Sequence, residues 1–267
     1  AEGIIKNRQI RRLVTQGSLT WFLHIFLDHY MEYPLAPFQE EMIYLAESDQ
    51  YDTVVVMAFR ESGKSTILNV GYPLWAVLGE QQKKCVVIIS KTQVQARAHF
   101  TNIKQELESN KLLASDLGPF RTDEDVWGTC SLELQHVGAK IISASRGQSI
   151  RGLRNNEYRP DLIICDDLED TSHQTKEERE ILYRWYIDEV MPIGTEGTKY
   201  IVLGNLIHRK GLLLELRNRI RDGKQPRAIF RAYPFLDANG QCLWPQKFPG
   251  KRSVNKLLEN LPWETRA

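Results

Sequence analysis

The chain has 267 residues, 42% hydrophobic and 26% charged, with a formal net charge of +1, enough to bury a full core in one large α/β domain or in one domain with a small appendage. That near-neutral balance excludes the strongly basic composition of many nucleic-acid binders, so any DNA contact must come from local patches. No apolar run is long enough to cross a bilayer, and the start AEGIIKNRQIRR has no signal-peptide core. Cys85, Cys130, Cys165 and Cys242 form no C-x-x-C pair and read as reduced, mostly buried thiols of an intracellular protein, not as zinc ligands.

Along the chain, the amphipathic segment LTWFLHIFLDHYM at 19–31 is followed by APFQEEMIYLAES and then by an apolar strand at 53–58. A helix is expected from about residue 64, interrupted near Gly71 and Pro73. CVVIIS at 85–90 reads as a buried strand, and 92–109 as a polar-faced helix capped by Thr92. SLELQHVGAKIISAS at 131–145 alternates on both sides of a Val-Gly-Ala turn and predicts a hairpin. DLIICDD at 161–167 is another buried strand, followed by a charged helix around 174–190, the strand TKYIVLGN at 198–205 and the helix GLLLELRNRI at 211–220. Nearly continuous apolar strands alternating with helices predict a parallel sheet covered on both faces. Beyond about 207 the composition turns basic and richer in Pro and Gly, which divides the chain into a core at 1–206 and a smaller subdomain at 207–267.

The stretch AFRESGKST, Ala58 to Thr66, has the spacing of a phosphate-binding loop with Ala58 at the first glycine position. Alanine suffices there if the residue stays in the β region at the strand's end. Backbone N–H groups across Arg60, Glu61, Ser62, Gly63, Lys64, Ser65 and Thr66 would curl around a triphosphate, with the helix N-terminus behind them. Gly63 lets the backbone pass close, Lys64 supplies a cation to the β and γ oxygens, and Ser65 offers a hydroxyl to Mg²⁺. The strand at 161–167 ends in carboxylates at the same sheet edge, so Asp166 is the natural Mg²⁺ partner of Ser65. For polarising the attacking water Asp167 is favoured on position, with Glu169 a close second on reach.

The loop SRGQSIRGLRNNEYRPD carries Arg146, Arg151, Arg154 and Arg159. In a ring of subunits one of them, Arg151 first and then Arg146 or Arg154, can present a guanidinium to a neighbour's γ-phosphate. Arg60 can act in cis or hold the loop's shape through a carboxylate. Gln39 and Phe38 in APFQEE are candidates for the adenine edge and a stacking face. Asn205, at the end of VLGN, is suited to sense the γ-phosphate.

Together, FRESGKST, SIRGLR, DLIICDDLED and VLGN resemble the N-terminal DNA-packaging ATPase domain of the large terminase subunit of tailed bacteriophages, from about Phe38 to Asn205, and CLWPQKF resembles that family's connecting region. The resemblance implies an α/β P-loop NTPase of the additional-strand type. Its central sheet would be mostly parallel with helices on both faces, and a small lid/linker subdomain would lead to a nuclease domain absent from this sequence. It further implies an ATP- and Mg²⁺-dependent motor for double-stranded DNA, working with the viral portal and the small terminase subunit as a ring, a pentamer, in the host cytoplasm and on no membrane. The family usually has Asp-Glu where this chain has Asp166-Asp167, followed by Glu169. DNA phosphates would be gripped by Arg209, Lys210, Arg217 and Arg221. The alternatives are a helicase-like DNA-dependent ATPase, a metal-dependent nuclease using Asp166, Asp167, Glu169 and Asp170, and a nucleotide-gated scaffold without turnover.

Overall fold

The computed structural model describes residues 6–123, 125–169 and 175–260. Its strands are β1 (Thr53–Ala58), β2 (Cys85–Ser90), β3 (Val126–Trp127), β4 (Ser131–Leu134), β5 (Ala139–Ser145), β6 (Leu162–Asp166), β7 (Lys199–Gly204) and β8 (Ala228–Tyr233). They form one sheet in the order β3-β4-β5-β2-β6-β7-β1-β8. Every pairing from β5 to β8 is parallel, and the predicted hairpin supplies the antiparallel edge. Because β7 lies between β6 and β1, one strand separates the acidic strand from the phosphate-loop strand. This is the additional-strand arrangement of P-loop NTPases.

The helices are α1 (Arg8–Gln16), α2 (Leu19–Phe26), α3 (Pro37–Glu47), α4 (Tyr72–Leu78), α5 (Gln93–Ser109), α6 (Lys111–Leu117), α7 (Lys176–Trp185), α8 (Leu212–Arg221) and α9 (Gly250–Asn260). No helix among the described residues is long and apolar enough to cross a membrane. Val54 and Val56 of β1 face a core filled by α2 to α5, and Val55 faces a second core filled by α7 and α8. A strand covered on both sides must be apolar at every position, which is why β1, β2 and β6 read as unbroken runs. Thr92 caps α5 as expected, its hydroxyl accepting from the N–H of Gln95 at 3.3 Å.

The chain after the phosphate loop departs from expectation. It runs through a π-helical stretch, Thr66–Gly71, straight into α4 without a break. In the wider π turn the N–H of Tyr72 bonds to the carbonyl of Ile67, and Pro73 falls in the first turn of α4, where a missing N–H costs little. Gly71 serves close approach: a Cβ there would lie 2.4 Å from Cδ2 of the fully buried Leu23. The basic segment beyond 207 is also more closely tied to the sheet than its composition suggests. Its β8 pairs with β1 over Thr53 to Ala58, so the sheet continues past residue 206.

At the opposite end of the sheet from the strand-end carboxylates, Lys199 is 7% exposed and its Nζ donates to the carbonyls of Leu45 (2.9 Å), Ser48 (2.6 Å) and Tyr51 (2.7 Å). It thereby satisfies acceptors at and beyond the C-terminus of α3. Burial lowers its pKa from the ordinary 10.5 to about 8, opposed in part by the charge of Asp49.

These contacts can be tested by stability measurements. Gly71→Ala should destabilise the protein by about 1–3 kcal/mol in thermal unfolding, because overpacking against Leu23 outweighs the helix propensity gained. Trimming Leu23 to alanine should then cost less in that background than alone. Lys199 releases its proton in the folded state before the unfolded chain does, so the wild type gains stability as pH rises from about 8 towards 10.5. In urea melts the stability difference between wild type and Lys199→Met should therefore widen between pH 7 and pH 9.5, by on the order of 2 kcal/mol. A constant difference would mean that the amine is not desolvated.

Candidate nucleotide site

β1 delivers the chain to the sheet's C-terminal edge. Ala58 still pairs with Tyr233 of β8, so extended backbone is all this position requires, and glycine is dispensable. The loop then takes positive φ at Glu61 (64°) and Gly63 (80°). A Cβ on Gly63 would lie 2.8 Å from Gln39 Nε2, so both the φ and the space demand glycine.

Gln39 braces this loop from α3. Its Oε1 accepts from the N–H of Ala36 at 2.8 Å and its Nε2 donates to the carbonyl of Ser62 at 2.8 Å. Most of the amide expected to read a base edge is therefore occupied by protein. Phe38 is buried against Phe59, Tyr233 and Trp244 and does not line the cavity beside the loop, so its expected stacking role finds no support. That cavity, of about 320 Å³, is walled by Tyr30, Tyr33, Gln39, Trp244 and Lys247 together with Glu61 to Ile67.

Lys64 and Ser65 point along the sheet edge. Lys64 Nζ donates to Asn205 Oδ1 at 3.1 Å, and Ser65 Oγ donates to Asp166 Oδ2 at 3.3 Å. The same Oδ2 takes Asn69 Nδ2 at 2.5 Å and His99 Nε2 at 3.0 Å. Asp166 Oδ1 is buried and has no partner among the described residues. An orphaned carboxylate oxygen beside a serine hydroxyl is the hard-oxygen donor set that Mg²⁺ takes, so the residues present fit that ion.

Asp167 and Glu169 diverge. Asp167 has φ 45° and its Oδ1 accepts from Asn205 Nδ2 at 3.4 Å. Burial raises its pKa and the charge of Asp166 adds to this, while Lys64, His99 and Arg60 pull the other way. Glu169 instead caps α8, accepting from the N–H groups of Leu212 at 2.7 Å and Leu213 at 3.3 Å. The fit is close enough that a Cβ on Gly211 would lie 2.1 Å from Glu169 Oε1. Burial raises the pKa of Glu169 and these two N–H groups oppose it. Asp170 lies outside the described residues.

Arg60 is exposed, near enough for its charge to act on Asp167. Arg151 makes a two-pronged pair with Glu189, Nε to Oε2 at 2.7 Å and Nη2 to Oε1 at 2.6 Å. Arg146 is half-buried, and desolvation lowers its pKa. Arg154, Arg209, Lys210, Arg217 and Arg221 are exposed.

Sequence reasoning missed Asn69, His99, Trp244 and Lys247. Asn69 stands four residues after Ser65 on one helical face, a spacing that could have found it. His99 reaches Asp166 only because α5 packs across β2, and Trp244 and Lys247 arrive through the long return of the chain after β8. His99 carries no local signal, and CLWPQKF marks Trp244 and Lys247 only as part of a connecting region.

No protein-family model matches the sequence, and no curated protein matches it. Among solved structures, the Thermus phage P74-26 large terminase ATPase domain is similar at 14% identity, with a TM-score of 0.58 over 89% of this chain and 94% of that one. The large terminase of a thermophilic bacteriophage, in complex with ATP-gamma-S, is similar at 12% identity and a TM-score of 0.57, over 87% of this chain and 51% of that one. The bacteriophage HK97 large terminase gives 18% identity and a TM-score of 0.54, over 77% and 40%. The chain thus spans about half of the thermophilic phage's terminase and less of the HK97 protein, but nearly all of the isolated P74-26 domain. At these identities the likeness is one of fold, a fold shared with large terminase ATPase domains.

Proposed function

We propose that this chain is the ATP-hydrolysing motor domain of a viral large terminase, coupling ATP hydrolysis to the movement of double-stranded DNA into a procapsid. One observation carries the reading: Lys64 and Ser65 of the loop meet Asn205 and Asp166 of two neighbouring strand ends, on a fold similar to phage ATPase domains.

In this reading the backbone N–H groups of the loop and Lys64 hold the β and γ phosphates. Ser65 and Asp166 would hold Mg²⁺, which supplies charge neutralisation at the phosphate oxygens. Asn69 and His99 fix Asp166 through Oδ2 and leave Oδ1 for that ion. Asp167 orients the attacking water, because Glu169 is committed to α8. Asn205, bonded to both Lys64 and Asp167, reports loss of the γ-phosphate. Arg151 acts from a neighbouring subunit in a pentameric ring on the portal, with Arg146 and Arg154 next in order and Arg60 in cis. The small terminase subunit, double-stranded DNA and the host cytoplasm complete the setting. DNA phosphates are gripped by Arg209, Lys210, Arg217 and Arg221, without regard to sequence. The nuclease alternative loses support from the divergence of its acids, since Glu169 faces α8 and not Asp166.

Wild-type protein should hydrolyse ATP with Mg²⁺, and Lys64→Ala should lower kcat by at least about a hundredfold. Asp167→Asn should lower kcat to a similar extent while ATP binding persists. Glu169→Gln should keep kcat within about tenfold and lose roughly 1 kcal/mol of stability through its cap. Single-turnover kinetics and melting curves check these outcomes, and a reversed order of the two acids would transfer the water-orienting role to Glu169.

A further inference from the structure

The chain after β8 returns to the phosphate loop and grips it. Trp244 is buried, its indole N–H donates to the carbonyl of Pro34 at 3.0 Å, and its ring lies 3.7 Å from where a Cβ on Gly63 would stand. Three residues later, Lys247 Nζ donates to the carbonyl of Glu61 at 2.9 Å and stands 3.4 Å from Glu61 Oε2. The rings of Trp244 and Phe248 flank this ammonium at 5.1 and 5.2 Å. Glu61 is the loop's non-glycine residue at positive φ, so the lysine holds both ends of a residue whose backbone is strained.

Lys247 lines the same cavity as Lys64, Ser65 and Thr66. The two lysines are held differently: Lys64 bonds to the neutral amide of Asn205, whereas Lys247 is opposed by a carboxylate whose side chain is 58% exposed. An exposed carboxylate binds an ammonium weakly, since water competes for both. A polyphosphate offers several charged acceptors in a walled cavity and is the stronger partner.

Building on the nucleotide-site reading above, we propose that Lys247 is a second, cis-acting phosphate cation of this site. Glu61 keeps it at the rim, and a bound polyphosphate takes it over while Trp244 and Phe248 stay buried. A lysine that only steadied the loop would weaken ATP and ADP alike and spare adenosine, since the loop holds the phosphates of both. A phosphate cation acts in proportion to the phosphates present.

The test compares ATP, ADP, AMP and adenosine as displacers of a fluorescent ATP analogue from the full chain, for wild type, Lys247→Gln and Glu61→Gln. Lys247→Gln should weaken ATP about tenfold, ADP less, and adenosine not at all, while Glu61→Gln should tighten ATP severalfold. Equal losses for ATP and ADP, or an unchanged ATP affinity in a Lys247→Gln protein that melts like wild type, would overturn the proposal. Should Lys247→Gln melt early, the Glu61→Gln arm decides: tighter ATP supports the exchange, and unchanged or weaker ATP refutes it. A wild type that binds none of the four ligands would instead defeat the nucleotide-site reading itself, and this proposal with it.

Discussion

The arrangement depends on one carboxylate oxygen. Asp166 Oδ2 collects a hydroxyl from the phosphate loop, an amide from the π-helical turn behind it and an imidazole from α5. Ser65 and Asn69 lie four residues apart on one continuous segment, and His99 comes from α5, so two parts of the chain meet over the end of β6. A buried carboxylate is costly unless its lone pairs are engaged, so both segments must stay in register with the strand. Oδ1, without a partner among the described residues, is then held in one place by bonds made to its twin. Fixing one oxygen of a rigid carboxylate in order to aim the other is an economical way to prepare a cation site.

The loop itself is held by what surrounds it. Two positive φ values within three residues give it little intrinsic preference for its shape, and Glu61 opposes that shape. Gln39 pins the carbonyl of Ser62, and Trp244 and Lys247 cover Gly63 and Glu61. Segments from before β1 and after β8 thus enforce a conformation that the loop's own residues do not favour. The π-helical turn that follows has a similar logic, since it carries Asn69 to Asp166 and lets Gly71 meet Leu23.

The parallel strands were legible because strands buried on both faces write their burial as unbroken apolar runs, whereas the additional-strand order was implied only by the family resemblance. β8 was not. As an edge strand with one neighbour it is only partly covered, and AIFRAY carries Arg231 where an interior strand would carry an apolar residue. Gly71 and Pro73 misled for a different reason: propensity treats them as breakers, while tertiary packing uses the first for closeness and places the second where no N–H is needed. Ser65 and Asp166 could be paired because both lie at the same sheet edge, and Lys64 and Asn205 could each be assigned to the γ-phosphate. His99, Trp244 and Lys247 could not, since their places depend on helix packing and on a chain return that no local pattern encodes.

The acidic run DDLED divides its work by strand geometry. Asp166 is the last residue of β6 and lies on the face covered by α5, whereas Asp167 turns at positive φ towards Asn205 at the end of β7. Glu169, two residues on, has crossed to the N-terminus of α8, the helix that carries Arg217 and Arg221. Three acids within four positions therefore reach the edge that faces the phosphate loop, the neighbouring strand end and a basic helix in turn. Under the motor reading, a phosphate that draws Lys64 away would free Asn205 Oδ1, and Asn205 also holds Asp167. Asp167 and Glu169, the cap of α8, are separated by Leu168 alone, so any reorientation at the strand end is delivered to the helix through three consecutive residues and not through a distant chain of contacts.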